Sequence, residues 1–164
     1  MAKKIDDAVL DELKRERLNV LLGHTEYDPD EEEALVRTAL SRKSAAIVLT
    51  GLHHSDATRR LLRGASVPVV ELWELGSQPI DSAVGFDHVT VGRTVAAHLA
   101  ARGRGRLRFL GARLHADHRA RSRAEGFLAA ARAAGAAAEI VEQPGAGGGA
   151  GGGFRLARGC DGTP

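Results

Sequence analysis

Short, uninterrupted apolar runs that alternate with amphipathic helical segments constrain the fold of this chain more than any other feature. LNVLLG (residues 18–23), AAIVLTG (45–51) and VPVVEL (67–72) are apolar at odd and even positions alike, so each reads as a strand with cover on both faces. AVGFD (83–87) and residues 107–111 and 139–142 continue the series. Helical segments separate them. HTEYDPDEEEALVRTALSRK opens with a start signature: Asp28 as N-cap, Pro29 at the first helical position, Glu31 at the third. Its acid-rich first turn suits the positive end of the helix dipole. Residues 55–63, 90–102 and 119–134 supply further helices, the second with Val91, Val95, Ala96 and Leu99 on one face. Ile5, Val9 and Leu13, at i, i+4 and i+8, form the stripe of a leading helix. The alternation predicts an α/β fold of parallel sheets covered by helices on both faces.

The 164 residues, 43% of them hydrophobic, suit one ordinary soluble domain or two small lobes. No run approaches the roughly 18 apolar residues of a membrane span, and the start has no apolar leader core. The expectation is a cytoplasmic protein without a membrane partner. Cys160 is the single cysteine, which excludes an internal disulfide and a thiolate zinc cage built by one chain. Charge is uneven along the chain: residues 1–90 hold 11 basic and 16 acidic side chains, residues 91–164 hold 12 and 5. The second half therefore favours anions. RGRGR (102–106) suits neither helix nor strand interior and reads as a joint. The expected division is 1–103 and 104–143 for the two lobes and 144–164 for a poorly ordered tail, because glycine-rich sequence loses much backbone entropy on ordering.

The tail satisfies G-x-G-x-x-G/A at residues 145–150, but no amphipathic helix opens there and no acid follows at the required distance. Low complexity explains the string, and no cofactor is expected. No lysine follows Lys43, so the chain holds no P-loop. His115, Asp117 and His118, with His53 and His54, have metal-ligand chemistry, yet they fall where surface histidines are common, and no metal is expected. No serine sits in a G-x-S-x-G elbow. Glu71 and Glu74 flank Trp73 without a partner evident from sequence. A binding function, not an enzyme, is the expectation.

In an open parallel sheet ligands bind beyond the carboxyl ends of the strands. Those segments are residues 24–28, 52–55, 73–76, 87–90 and 112–123, and together they offer histidine, carboxylate, tryptophan and arginine. That mixture suits a polyhydroxylated or anionic small molecule such as a sugar acid.

LLGHTEYDPDEEEALVRTALSRKSAAIVLTG, VPVVELWEL, AVGFDHVTVGRTVAAHLAARGRGRLRFLGA and DHRARSRAEGFLAAARAAG, in that order, resemble the effector-binding core of lactose-repressor (LacI) family transcription regulators. The wording of LLGHTEYDP and VVELWEL is most like the gluconate-repressor branch. The resemblance runs from about Ile5 to Glu142. It implies a type I periplasmic-binding-protein-like fold of two lobes, truncated at both ends, with a sugar or sugar acid such as gluconate between the lobes. In R-x-x-G-F the family's arginine reaches the effector, and that position is Arg123. Thr90 stands where relatives often place an acid, and Arg119, Asp87 and His88 are further effector-site candidates. Family members act as homodimers that read operator DNA through a helix-turn-helix headpiece, which this stretch of sequence does not encode. The resemblance also implies that one central strand lies outside this stretch, so open edges and self-association are expected. The alternative is a sugar-binding protein of the transport type, which shares the fold.

Overall fold

The computed structural model describes residues 2–142. The chain runs α1 (Ala2–Arg15), α2 (Pro29–Ser41), β1 (Ile47–Thr50), α3 (Asp56–Gly64), β2 (Val69–Leu72), β3 (Ser82–Val84), α4 (His88–Ala101), β4 (Arg106–Gly111), α5 (His118–Ala133) and β5 (Ala137–Glu142). The tail expected from residue 144 lies outside the described residues.

Two parallel sheets result, ordered β1-β2-β3 and β4-β5. Ile47 stands beside Val69 and Thr50 beside Leu72, while Arg106 stands beside Ala137. Strand ends are punctuated by caps. Asp28 accepts from the amides of Asp30 and Glu31, Ser55 from Thr58, Asp87 from Thr90 and Asp117 from Ala120, satisfying donors that a helix start leaves unpaired.

Each sheet has its own core. Val36, Ile47, Leu62 and Val69 are buried where α2 and α3 cover the first sheet. Ala96, Leu107, Phe127, Ala131 and Ala136 are buried around the second, with the Phe109 and Phe127 rings edge to face at 5.7 Å. Helix α4, placed with the first lobe by a division at 103/104, thus buries Ala96 against α5 and the second sheet. Glycine makes that packing close. An added Cβ on Gly92 would lie 2.8 Å from the Phe127 amide nitrogen, and one on Gly126 would lie 2.9 Å from the Val89 carbonyl carbon, so the α4 and α5 backbones touch without side chains between them.

Two expectations are corrected. LNVLLG is not a strand: residues 18–23 pair with nothing in either sheet, and Leu22 is 81% exposed. An extended run needs a ladder partner, and among the described residues it has none. The matching edge of β1 is open. The amides of Ile47 and Gly51 donate to Pro68 and Leu72 of the β2 side, so Val48 and Thr50 between them turn theirs outward. Glu71 is the second: read from sequence as a carboxylate at a strand end without an evident partner, it lies inside β2 and is wholly buried. One Glu71 oxygen accepts from the Ile80 amide at 2.6 Å and the other lies 3.3 Å from His54 Nε2.

Candidate functional site: the loops at the carboxyl ends of the strands

The segments that follow the strands meet at one end of the molecule, and side chains join them in pairs. Tyr27 donates its hydroxyl to Asp117 at 3.3 Å. The Arg113 guanidinium lies over the Tyr27 ring, 5.5 Å from its centre, a favourable cation–π placement. His53 stacks on His118 with ring centres 4.1 Å apart. His53 Nε2 also lies 3.6 Å from Glu74 Oε1, while Glu74 Oε2 accepts from the Leu52 amide at 3.1 Å. The loop that precedes α2 and the loop after β1 thus touch the loop between β4 and α5.

Backbone strain gathers in the same place. Of the six non-glycine residues with positive φ among those described, Glu26, Tyr27, Trp73 and Arg113 fall in these loops. Trp73, at φ 75°, is the costliest kind, a bulky aromatic in the left-handed region. It is held there by its own amide donating to Val84 and its carbonyl accepting from His88.

Arg123 occupies the middle of α5, half-buried, with its Nη1 donating to His88 Nδ1 at 2.8 Å. Burial presses its pKa down, the Asp117 carboxylate opposes, and Arg119 presses it down again; the group remains a guanidinium throughout the working pH range. Arg119 Nε is 3.8 Å from Asp117 Oδ1. His88 is nearly buried, and its pKa is held below the usual imidazole range by burial first and by Arg123 second. His118 is likewise lowered, by burial, His53 and Arg121. Two imidazoles whose charged form is disfavoured thus sit beside the guanidinia of Arg119, Arg121 and Arg123, with the Asp117 and Glu74 carboxylates as acceptors among them.

The expected site residues are thus brought together unequally. Arg123 and His88 are in direct contact, and Arg119 stands beside them across Asp117. Asp87 caps α4, fully open to solvent, with a carboxylate kept acidic chiefly by the Thr90 amide it accepts from. Thr90 is exposed in the first turn. The contact of Tyr27 with Asp117 has no counterpart in the sequence pattern, whereas His53 and His118, grouped there only for their metal-ligand chemistry, meet as stacked rings. Two adjacent histidines after one strand and two carboxylates three apart after the next did carry a signal. In the register that sets Thr50 beside Leu72, His54 meets Glu71 and His53 meets Glu74.

That inner pair forms a separate buried cluster. His54 Nδ1 is 2.9 Å from Glu32 and Nε2 is 3.0 Å from the Gly51 carbonyl. Burial lowers the His54 pKa, but the Glu32 hydrogen bond and the Glu32 and Glu71 charges outweigh it and the net displacement is upward. Both ring nitrogens face acceptors, as suits an imidazolium. Among the described residues no group of three or more His, Cys, Asp or Glu converges as a metal cage, and no helix is long and apolar enough to cross a membrane. A depression lined by Leu40, Lys43, Ser44, Leu61, Ser66 and Val67 lies at the opposite, amino end of β1 and β2, away from the histidine, carboxylate and arginine side chains gathered at the carboxyl ends.

Comparison with known proteins gives a consistent result. Residues 3–144 match the family described as periplasmic binding proteins and sugar binding domain of LacI family. The chain is 37% identical over 123 residues to the HTH-type transcriptional regulator GntR of Pseudomonas aeruginosa, covering 75% of this chain and 35% of that protein. It is 35% identical over 94 residues to the GntR regulator of Escherichia coli, covering 57% of this chain and 28% of that protein. It therefore spans about a third of the length of these curated relatives. Among solved structures, a LacI family transcriptional regulator from Silicibacter pomeroyi superposes with a TM-score of 0.77 at 37% identity, covering 90% of this chain and 55% of that one. The transcription regulator GntR from Chromobacterium violaceum gives 0.73 at 29% identity, covering 83% and 50%.

Proposed function

Because the chain belongs to the family of periplasmic binding proteins and LacI-family sugar-binding domains, we propose that its convergent loops are the effector site of a gluconate-repressor-like transcription regulator. The observation that carries this reading is Arg123: half-buried, fixed on a neutral imidazole, and set among the loops that meet at the carboxyl ends of the strands. A planar guanidinium in that position can hold a carboxylate or two hydroxyls at once. Arg119 adds a second cation, while Glu74 supplies an acceptor for hydroxyls; Asp87 and Thr90 stand at the rim. The ligand that fits is a sugar or sugar acid such as gluconate, taken up without chemical change.

In the whole regulator the effector acts by favouring one lobe arrangement over another, which changes affinity for operator DNA read by a separate headpiece. The α4 packing argues for a pivot just before His88, where β3 ends and α4 joins the second sheet, with residues 102–106 as a second flexible joint. A cytoplasmic homodimer is the assembly that suits such a regulator. A transport-type sugar-binding protein shares the fold, but the relatives above 30% identity are transcription regulators, which favours the regulator.

Thermal denaturation with D-gluconate, other aldonates, D-glucose and D-xylose tests the reading. Ligand at a hundred times its dissociation constant stabilises the folded state by about 2.7 kcal/mol. A rise in Tm with aldonates, smaller or absent with neutral sugars, is expected. No response to any acid or sugar would overturn the proposal.

A further inference from the structure

His88 is the first residue of α4 and is only 5% exposed. Both of its ring nitrogens are engaged. Nε2 lies 2.8 Å from the Trp73 carbonyl oxygen, and Nδ1 lies 2.8 Å from Arg123 Nη1. The chemistry of the two partners decides the ring's state. A carbonyl can only accept, so Nε2 carries the proton; a guanidinium can only donate, so Nδ1 presents its lone pair. The imidazole is thereby a neutral ring in one tautomer.

Each side of this relay is mechanically fixed. The Trp73 carbonyl belongs to a residue at φ 75° whose amide is tied to Val84, and Gly85 passes so close that an added Cβ would meet the Trp73 carbonyl carbon at 2.6 Å. The Phe86 ring meets the His88 ring edge-on at 4.7 Å. On the other side, the close approach of α4 and α5 at Gly92 and Gly126 brings Arg123 onto the turn that carries His88. An arginine side chain has many rotamers, and one hydrogen bond to a rigid acceptor selects among them. The relay also joins the two sheets, since Trp73 follows β2 while His88 and Arg123 belong to the helices of the second.

We propose that His88 is the positioning residue of the effector site: anchored on the Trp73 carbonyl, it aims Arg123, and it releases that arginine when the ring is protonated. The proposal rests on the reading of these loops as an effector site for an anionic sugar derivative. Protonation would place a hydrogen on Nδ1, donor against donor, and a second positive charge beside the guanidinium. The charged groups facing His88 are Arg123 and Arg119 from α5 and Glu74 from the loop after β2. The two arginines and burial oppose the charged ring; the Trp73 carbonyl and Glu74 favour it, and the balance keeps its pKa low. Effector affinity is therefore flat around neutrality and falls as pH drops through that lowered value.

The test uses the purified chain, with D-gluconate titrated calorimetrically at pH about 7.5 and about 4.5, a span that reaches well below the ordinary imidazole value. Wild type should lose affinity on acidification, by more the further pH falls below the lowered His88 value, and His88→Ala should be weaker by about tenfold already at neutral pH. His88→Gln is the informative variant, because its amide can donate to Trp73 and accept from Arg123 yet does not titrate. It should recover most of what alanine loses and should show no acid dependence. An acid dependence unchanged in His88→Gln, or wild-type affinity in His88→Ala, would overturn the proposal. Imidazole 15N shifts give a ligand-free arm: the Nε2–H tautomer is expected, with a His88 pKa that rises in Arg123→Met. The opposite tautomer, or a titration indifferent to Arg123, overturns the positioning role. A wild-type chain that shows the expected tautomer but ignores D-gluconate at both pH values overturns the effector reading instead.

Discussion

Gly92→Ala isolates the packing on which the site depends. Helix propensity alone says the change should help, since alanine in a helix interior is favoured over glycine by about 0.5–1 kcal/mol. The structure says the opposite. The new methyl would lie 2.8 Å from the Phe127 nitrogen and 2.9 Å from the Arg123 carbonyl carbon, with the Arg123 oxygen nearer still. All three are backbone atoms, so no rotamer change relieves the clash, and α5 must move off α4 by roughly an ångström. Overpacking of this kind costs about 1–3 kcal/mol, and separation also loosens Ala96, Phe127 and Ala131, which share one core. A net loss of about 2 kcal/mol corresponds to a Tm lower by roughly 4–8 °C for a domain of this size. Circular dichroism melts of Gly92→Ala measure it, with Gly64→Ala as the control, because nothing lies within 4 Å of a Cβ there. A Gly92→Ala melt at or above wild type would refute the close crossing of α4 and α5.

Two further outcomes follow from other parts of the structure. The open β1 edge and the unpaired, exposed run at residues 18–22 are a template for strand addition; sedimentation velocity should show association beyond a monomer that Val48→Lys reduces, and a wild-type chain monomeric at high concentration would contradict this. The His54 pKa is raised by Glu32 and Glu71 against the cost of burial, so its contribution to stability is complete below the unfolded imidazole value and is lost as pH rises through the raised one. The Tm advantage of wild type over His54→Gln should therefore shrink as pH climbs above neutrality, and an advantage that grows with pH would invert the assignment.

Much of the fold is legible because its signals are local. Asp28, Pro29 and Glu31 start α2 where their chemistry says a helix starts, and the apolar runs at 47–50 and 69–72 pair in parallel as their two-faced pattern requires. LNVLLG carries the same pattern and forms no strand, because a strand is completed only by its neighbour, which no local pattern reports. Glu71 is hidden for a related reason: a carboxylate in an apolar run looks like a strand end until His54 and the Ile80 amide arrive from elsewhere. The rule that ligands meet strand carboxyl ends selects these loops as candidates from sequence. It does not select their pairings, since Tyr27 and Asp117 lie 90 residues apart and meet only through the arrangement of both sheets.

The central claim is that Arg123 holds an anionic effector in these loops, and calorimetric titration of D-gluconate into wild type and Arg123→Ala tests it most directly. Loss of a charge-assisted hydrogen-bonding group is worth about 1.5–3 kcal/mol. The variant should melt within a few degrees of wild type, because Arg123 is half-buried and outside all three hydrophobic clusters, yet bind D-gluconate at least about tenfold more weakly. Equal affinity in the two proteins would contradict the account.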